Sequence, residues 1–342
     1  MELGVILGTW DGNGADARAM LATVQEAERS GYSIAWVPEA YGADAVTLMA
    51  WLASNTERIR IGSAIMQIPA RQPTTTAMTA ATLETLFPGR IVLGLGISGP
   101  AVTEGWYGVD WDHPLRRTRE YLDVVRMTLA RQPVDYHGAH ERVPRRDSLR
   151  PIKLIMKHHG KIPIYLAAMG PKSIELTGEQ ADGWLPALVH PERFAPAYAH
   201  LAAGAARVGR DPRAVTIAAS TAAVVSDDIN VARNIYRPYL ALLIGGMGTR
   251  EQNFYRDLVT SYGYASEAIA ITDAYLGGRK RDAEALVPVE LIDSLALIGS
   301  PSRIAERLAA FAAAGIGIMS IAPSGRTLEE KLAVVRTIAG LR

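Results

Sequence analysis

Short, nearly continuous apolar runs alternate along this chain with segments whose apolar residues recur at helical spacing. The runs fall at 2–7, 33–37, 59–65, 91–95, 164–168, 183–185, 215–225 and 316–321. Helical periods follow at 15–29, 44–54, 75–86, 115–130, 172–180, 191–208, 230–243 and 327–341. Unbroken apolar runs suit parallel strands covered on both faces. Strict strand–helix alternation defines an α/β fold, and eight repeats favour a closed (β/α)8 TIM barrel, which leaves no exposed sheet edge. One further helix has a clear start before the last run. Ser300 is a suitable N-cap, Pro301 takes the first helical position, and Ile304, Leu308 and Phe311 share one face that should pack on the barrel wall.

Two stretches break the alternation: 132–160, rich in Pro, Arg and His, and 245–295, polar and Tyr-containing. The chain has 342 residues and a barrel needs roughly 250, so these stretches hold most of the excess. They are expected to be insertions in a single domain spanning 1–342, and the place where a substrate is selected. Lys and Arg total 36 against 35 Asp and Glu, a net charge of +1 that excludes a polybasic nucleic-acid surface. There is no cysteine, hence no disulfide, Cys-type zinc site or thiol nucleophile. No run reaches the ~18 apolar residues of a membrane span, and the amino terminus lacks the basic start of a signal peptide. A cytoplasmic enzyme acting on a small molecule, without membrane or nucleic-acid partners, is the expectation.

In such a barrel the active site lies at the carboxyl ends of the strands. That rule selects Glu39 and Tyr41 after the second run, and 64–71 after the third. After the fourth it selects 96–108, with Gly96, Ser98, Gly99, Glu104, Trp106 and Tyr107; after the fifth, 168–172. The Gly94-x-Gly96-x-x-Gly99 pattern matches a dinucleotide fingerprint, which requires a helix to open on the glycines. Pro100, Gly105, Gly108 and Pro114 follow, so no helix is expected there, and a loop letting a flat cofactor approach the backbone fits better. The turn Met169-Gly170-Pro171-Lys172 reads either as a phosphate site at a helix start or as an ordinary turn with a surface lysine. Glu39 reads either as a proton-transfer group whose pKa burial would raise, or as a carboxylate that fixes a loop or a cofactor ring. Glu104 is open to the same two readings. His137 with His140, and His158 with His159, lie in an irregular stretch, and no metal site is expected from them.

Four blocks then become informative together: AWVPEAYGADAVTLMAWLA (35–53), RIGSAIMQIPARQP (60–73), PGRIVLGLGISGPAVTEGWYG (88–108) and IYLAAMGPKSIELTGEQADGWLP (164–186). They resemble the luciferase-like monooxygenase superfamily, and more closely its branch of deazaflavin (coenzyme F420) dependent oxidoreductases related to methylenetetrahydromethanopterin reductase. The resemblance implies a bacterial-luciferase-like barrel with the cofactor ring across the strand ends. It implies a bulge with a non-proline cis peptide at Ala64–Ile65, which implicates Ser63, Ala64 and Ile65 in cofactor binding. It also implies that Gly96, Ser98, Gly99 and Glu104 run along the cofactor, with Trp106 as an apolar wall. Ala168, Met169, Gly170 and Lys172 would lie at its phosphate side. Glu39, Tyr41, Glu104 and Tyr107 are the catalytic candidates, with Glu39 as proton donor or polar anchor. Several relatives carry an Asp-His pair where this chain has Glu39-Ala40, so a mechanism relying on that imidazole does not transfer. Hydride transfer between F420 and a C=C, C=N or C=O group is the first expectation. An FMN-dependent two-component monooxygenase and a non-catalytic flavin-binding scaffold are the alternatives. The resemblance also implies a homodimer.

Overall fold

A computed structural model describes residues 1–8, 14–158 and 160–341. Eight parallel strands close into a barrel: β1 (Glu2–Ile6), β2 (Ile34–Val37), β3 (Arg60–Ser63), β4 (Ile91–Gly96), β5 (Ile164–Ala167), β6 (Gly183–Leu185), β7 (Thr216–Val225) and β8 (Ile318–Pro323). Closure is made where β8 pairs with β1, placing Ile318 beside Glu2. Each strand is followed by an outer helix: α1 (Gly14–Arg29), α2 (Ala45–Ser54), α3 (Pro73–Leu86), α4 (Pro114–Leu129), α5 (Pro171–Gln180), α6 (Ala195–Arg207), α7 (Ile229–Gly246) and α8 (Leu328–Ala339). The expected boundaries shift by a few residues, largely because proline starts α3, α4 and α5. Its missing N–H costs nothing in the first turn.

The barrel is filled, not hollow. Ile34, Trp36, Val92, Tyr165, Ala218 and Ile318 form its interior cluster, with the Trp36 and Tyr165 rings 5.5 Å apart. Ile6, Ala64 and Leu185 pack on this cluster and are only partly buried. Tight contact between strands explains one glycine. A Cβ at Gly94 would stand 1.9 Å from the Ser63 carbonyl oxygen. The helix Pro301–Ala313 forms as expected, with Ser300 accepting from the Arg303 N–H and Ile304, Leu308 and Phe311 buried in the main core.

One expectation needs correction. A helix does open on the glycine loop: Gly99 is the N-cap of Pro100–Thr103, a single turn that Pro100 starts and Glu104 ends. It is too short to be the long nucleotide-binding helix of the dinucleotide fingerprint. The stretch 245–295, expected as an insertion with no element assigned, is largely helical. It folds as Phe254–Ser261, Ala265–Leu276, Lys280–Ala285 and Val289–Leu295, which pack on α7 around Tyr236, Leu240, Ile244, Val259, Ile271 and Leu291. It then returns as Leu297–Gly299 to pair with the end of β7. The stretch 132–160 stays mostly irregular, apart from the two-stranded hairpin Tyr136–His137 and Arg142–Val143.

Candidate active site

The mouth of the barrel is built on the bulge after β3. The peptide Ala64–Ile65 is cis, at the position the resemblance implies. Beyond it Met66–Gln67 rejoins the sheet beside Leu95 and Gly96. Gly96 packs on Ile65 and Ala167: a Cβ on it would stand 3.0 Å from Ile65 and 3.3 Å from the Ala167 methyl. Ala167 is exposed although it belongs to a barrel strand. Ile6, Ala64 and Leu185 below, with Ile65 and Ala167 beside them, therefore make a shallow apolar floor of small and aliphatic side chains.

Glu39 stands at the edge of this floor, in the loop after β2. Its side chain is 5% exposed. One carboxylate oxygen accepts from the Ala45 N–H and Arg71 Nη2, at 3.1 and 2.7 Å. The other accepts from the Gln67 N–H and Arg71 Nη1, at 3.1 and 2.6 Å. Four donors use the strong acceptor positions of both oxygens. That geometry fits the polar-anchor reading. Glu39 thus joins the start of α2 to the bulge after β3, and the Gln67 side chain adds a hydrogen bond back to the Glu39 carbonyl. Gln67 Oε1 is buried and has no hydrogen-bond partner.

Arg71 is the residue that sequence reasoning passed over. It lies in the 64–71 loop and is the one cation of that segment. Besides Glu39 it binds Asp44, which caps α2 through the Thr47 N–H at 2.8 Å. Hydrogen bonds donated to Glu39, against the cost of burial, raise the Arg71 pKa above its ordinary value. Burial would raise the Asp44 pKa, yet the Thr47 and Arg71 contacts outweigh it and lower it. Tyr107 feels the same cluster. Burial, then the Glu39 charge, push its phenol pKa up, so it stays protonated at neutral pH.

The other candidates divide. Tyr41 and Trp106 are brought together, 61% and 62% exposed, with ring centroids 6.4 Å apart. Ser98 has φ 64°, in the left-handed region that costs a non-glycine residue energy. Gly99 and Gly170 are open: an added Cβ would meet no atom within 4 Å at Gly99 and only Ser173 Oγ at 3.8 Å at Gly170. Ala168 is buried, and its carbonyl accepts from the Trp184 indole at 2.9 Å. Met169 is half-buried on the turn that starts α5. Three side chains are committed elsewhere. The Ser63 hydroxyl is fully buried and bonds the Gly94 carbonyl and N–H, at 2.7 and 2.9 Å, stitching β3 to β4. Glu104 is exposed and accepts from the Trp111 N–H at 3.0 Å, which holds its own loop. Lys172 pairs with Glu175 at 3.1 Å, the surface-lysine alternative. His159 lies outside the described residues.

A cleft of about 430 Å³ runs from this site toward the hairpin, between Arg71, Gln72, Val109, Arg117, His140 and Arg142. Glu120 on α4 fixes the hairpin. It accepts from the N–H groups of Ala139, His140 and Glu141 at 3.0, 2.7 and 2.9 Å.

The architecture is thus a filled (β/α)8 barrel with a cis-peptide bulge and open glycine loops at its mouth. The sequence profile of the luciferase-like monooxygenase family matches residues 1–317, and the chain belongs to that family. It is 39% identical over 332 residues, 94% of each chain, to a putative coenzyme F420-dependent oxidoreductase of Mycobacterium tuberculosis. It is 29% identical, over 86% of each chain, to the 5,10-methylenetetrahydromethanopterin reductase of Archaeoglobus fulgidus. Among solved structures, the F420-dependent tetrahydromethanopterin reductase of Methanopyrus kandleri superposes with a TM-score of 0.82 at 22% identity, covering 99% of this chain and 97% of that one. An F420-dependent secondary alcohol dehydrogenase reaches 0.77 at 21% identity, over 99% and 98%. These two likenesses concern the fold.

Proposed function

We propose that this protein is an F420-dependent oxidoreductase that transfers a hydride between the deazaflavin and a small organic substrate bearing a C=C, C=N or C=O group. The observation that carries the proposal is the mouth of the barrel. An apolar floor beside the Ala64–Ile65 bulge suits a flat ring, and the open backbone at Gly99 and Gly170 lets a ring and its anionic chain pass close by. The relative of 39% identity carries F420 dependence in its name. When bound, F420 supplies an obligate two-electron hydride carrier, and the protein supplies orientation and electrostatics.

In this reading Ala64, Ile65 and Gly96 support the ring. The N–H groups at the start of α5 face its phosphate side, as helix amino termini favour anions. The Glu39–Arg71 pair sets the spacing between the bulge and α2, so Glu39 is a positioning residue. Tyr107, protonated at neutral pH, is the proton-bearing group beside that pair. Tyr41 and Trp106 form the apolar wall on the solvent side. Among the described residues no helix is long and apolar enough to cross a membrane. A cytoplasmic homodimer acting on a small molecule completes the proposal, with light scattering as the check on the dimer. The deciding experiment titrates the purified protein with F420 and with FMN and follows fluorescence quenching. Saturable quenching by F420 is expected. Tight FMN binding without F420 binding would overturn the proposal in favour of a flavin-fed monooxygenase.

A further inference from the structure

Three side chains from two separate segments converge at the outer rim of the cleft. Asp112 and His113 precede α4, and His140 sits at the tip of the hairpin. Asp112 Oδ2 lies 3.8 Å from His113 Nδ1 and 3.7 Å from His140 Nδ1, and the three ligand atoms fall within 4.8 Å of one another. These separations are too long for hydrogen bonds. They are close to the ~3.4 Å edge that two ligands span across a tetrahedral ion at the ~2.1 Å bond lengths of zinc. The groups thus surround a gap of ionic size and do not bond to one another.

The surroundings orient the carboxylate for this. Arg117 takes the other oxygen, Oδ1, at 3.1 Å and also donates to the Asp110 carbonyl at 2.9 Å. Oδ2 is left facing both imidazoles. A carboxylate ligand held through its second oxygen is the usual outer-shell arrangement of a metal site. His140 is placed by the Glu120 contact to its N–H, and its side chain is 10% exposed. His113 has φ 42°, an uncommon conformation for a side-chain-bearing residue, and its ring lies 5.7 Å from that of His140. The sequence offered no hint of this grouping. His140 reads there as a neighbour of His137, which instead contacts Asp135 at 2.9 Å.

We propose that Asp112, His113 and His140 form a binding site for a zinc-class divalent cation, which ties the hairpin to the loop before α4 and so fixes the rim of the cleft. Two imidazoles and one carboxylate suit Zn²⁺ and leave one position for water. The full chain, freed of metal by chelator, is titrated with Zn²⁺ against a chromophoric chelator, alongside His140→Ala, Asp112→Asn and the control His137→Ala. One saturable equivalent is expected, weakened by at least roughly tenfold in the first two variants and unchanged in the control. Zn²⁺ should also slow proteolysis or hydrogen exchange across 136–143 in the wild type and in His137→Ala, and not in the other two variants. Circular dichroism and urea unfolding, recorded on every variant, show that each remains folded. No saturable binding in the wild type, or an equal loss in His137→Ala, overturns the site.

Discussion

Arg71 grips Glu39 with both terminal nitrogens, at 2.6 and 2.7 Å, and the two residues stand 32 positions apart in sequence. Their side chains are 18% and 5% exposed, so removing one partner strands the other in a poorly solvated place. Arg71→Leu should therefore destabilise the protein by about 3 kcal/mol, and the double change Glu39→Leu/Arg71→Leu should regain part of that loss. Urea unfolding of the three proteins measures both. F420 affinity should fall in Arg71→Leu, because the bulge loses its link to α2. A stability change within about 0.5 kcal/mol, as at an ordinary surface position, would show that the pair holds nothing together.

Three glycines allow packing to be separated from ligand binding. Gly94→Ala forces a methyl against the Ser63 carbonyl at 1.9 Å and should cost at least the ~1–3 kcal/mol of an overpacked core. Gly99 has φ −118° and Gly170 φ −81°, which any residue can adopt, and both have open space. Gly99→Ala and Gly170→Ala should leave the unfolding midpoint nearly unchanged and weaken F420 binding. If either alanine variant bound F420 as the parent does, the cofactor would not pass that loop.

The barrel was legible because its signals are local. Eight apolar runs at strand length mark the strands, whereas the cis peptide at Ala64–Ile65 was expected only from the family resemblance of 60–73. The role of Arg71 was not legible, since a pairing across 32 residues leaves no trace in periodicity. Glu39 was selected by its loop position, which left two chemistries open, and the four donors around it fit the anchor. Ser63 was drawn in by its place in the bulge, although its hydroxyl turns into the sheet toward Gly94. The stretch 245–295 hid its helices for a different reason. They are short, and their apolar residues are spent on α7 and one another, so no single period stands out.

The hairpin should respond to acid through Glu120. Burial alone would raise this carboxyl, but the N–H groups of Glu141, His140 and Ala139 outweigh it and hold its pKa below the ordinary 4.5. A depressed folded-state pKa gives stability that is complete above 4.5 and is lost as pH falls through the lower value. The hairpin should stay docked from neutral pH down to about 4.5 and loosen only below that. Glu120→Gln should loosen it at neutral pH. Hydrogen exchange of 136–143 against pH reads both effects, and protection in Glu120→Gln equal to the parent would refute the anchor.

Trp106 and Tyr41 offer the sharpest contrast between stability and binding. Each ring is more than half exposed, and their main aromatic contact is with each other at 6.4 Å. Trp106→Ala removes little buried area, so unfolding free energy should change by no more than about 0.5 kcal/mol. If the pair walls the cofactor and substrate, losing one ring face forfeits ~0.5–1.5 kcal/mol of stacking, up to about tenfold in affinity. Trp106→Phe should restore most of it, since a ring remains to stack. F420 titrations of the three proteins test this directly. Equal affinity in Trp106→Ala would move the wall away from the Tyr41–Trp106 pair and turn attention to Tyr107, which feels the Glu39 and Arg71 charges.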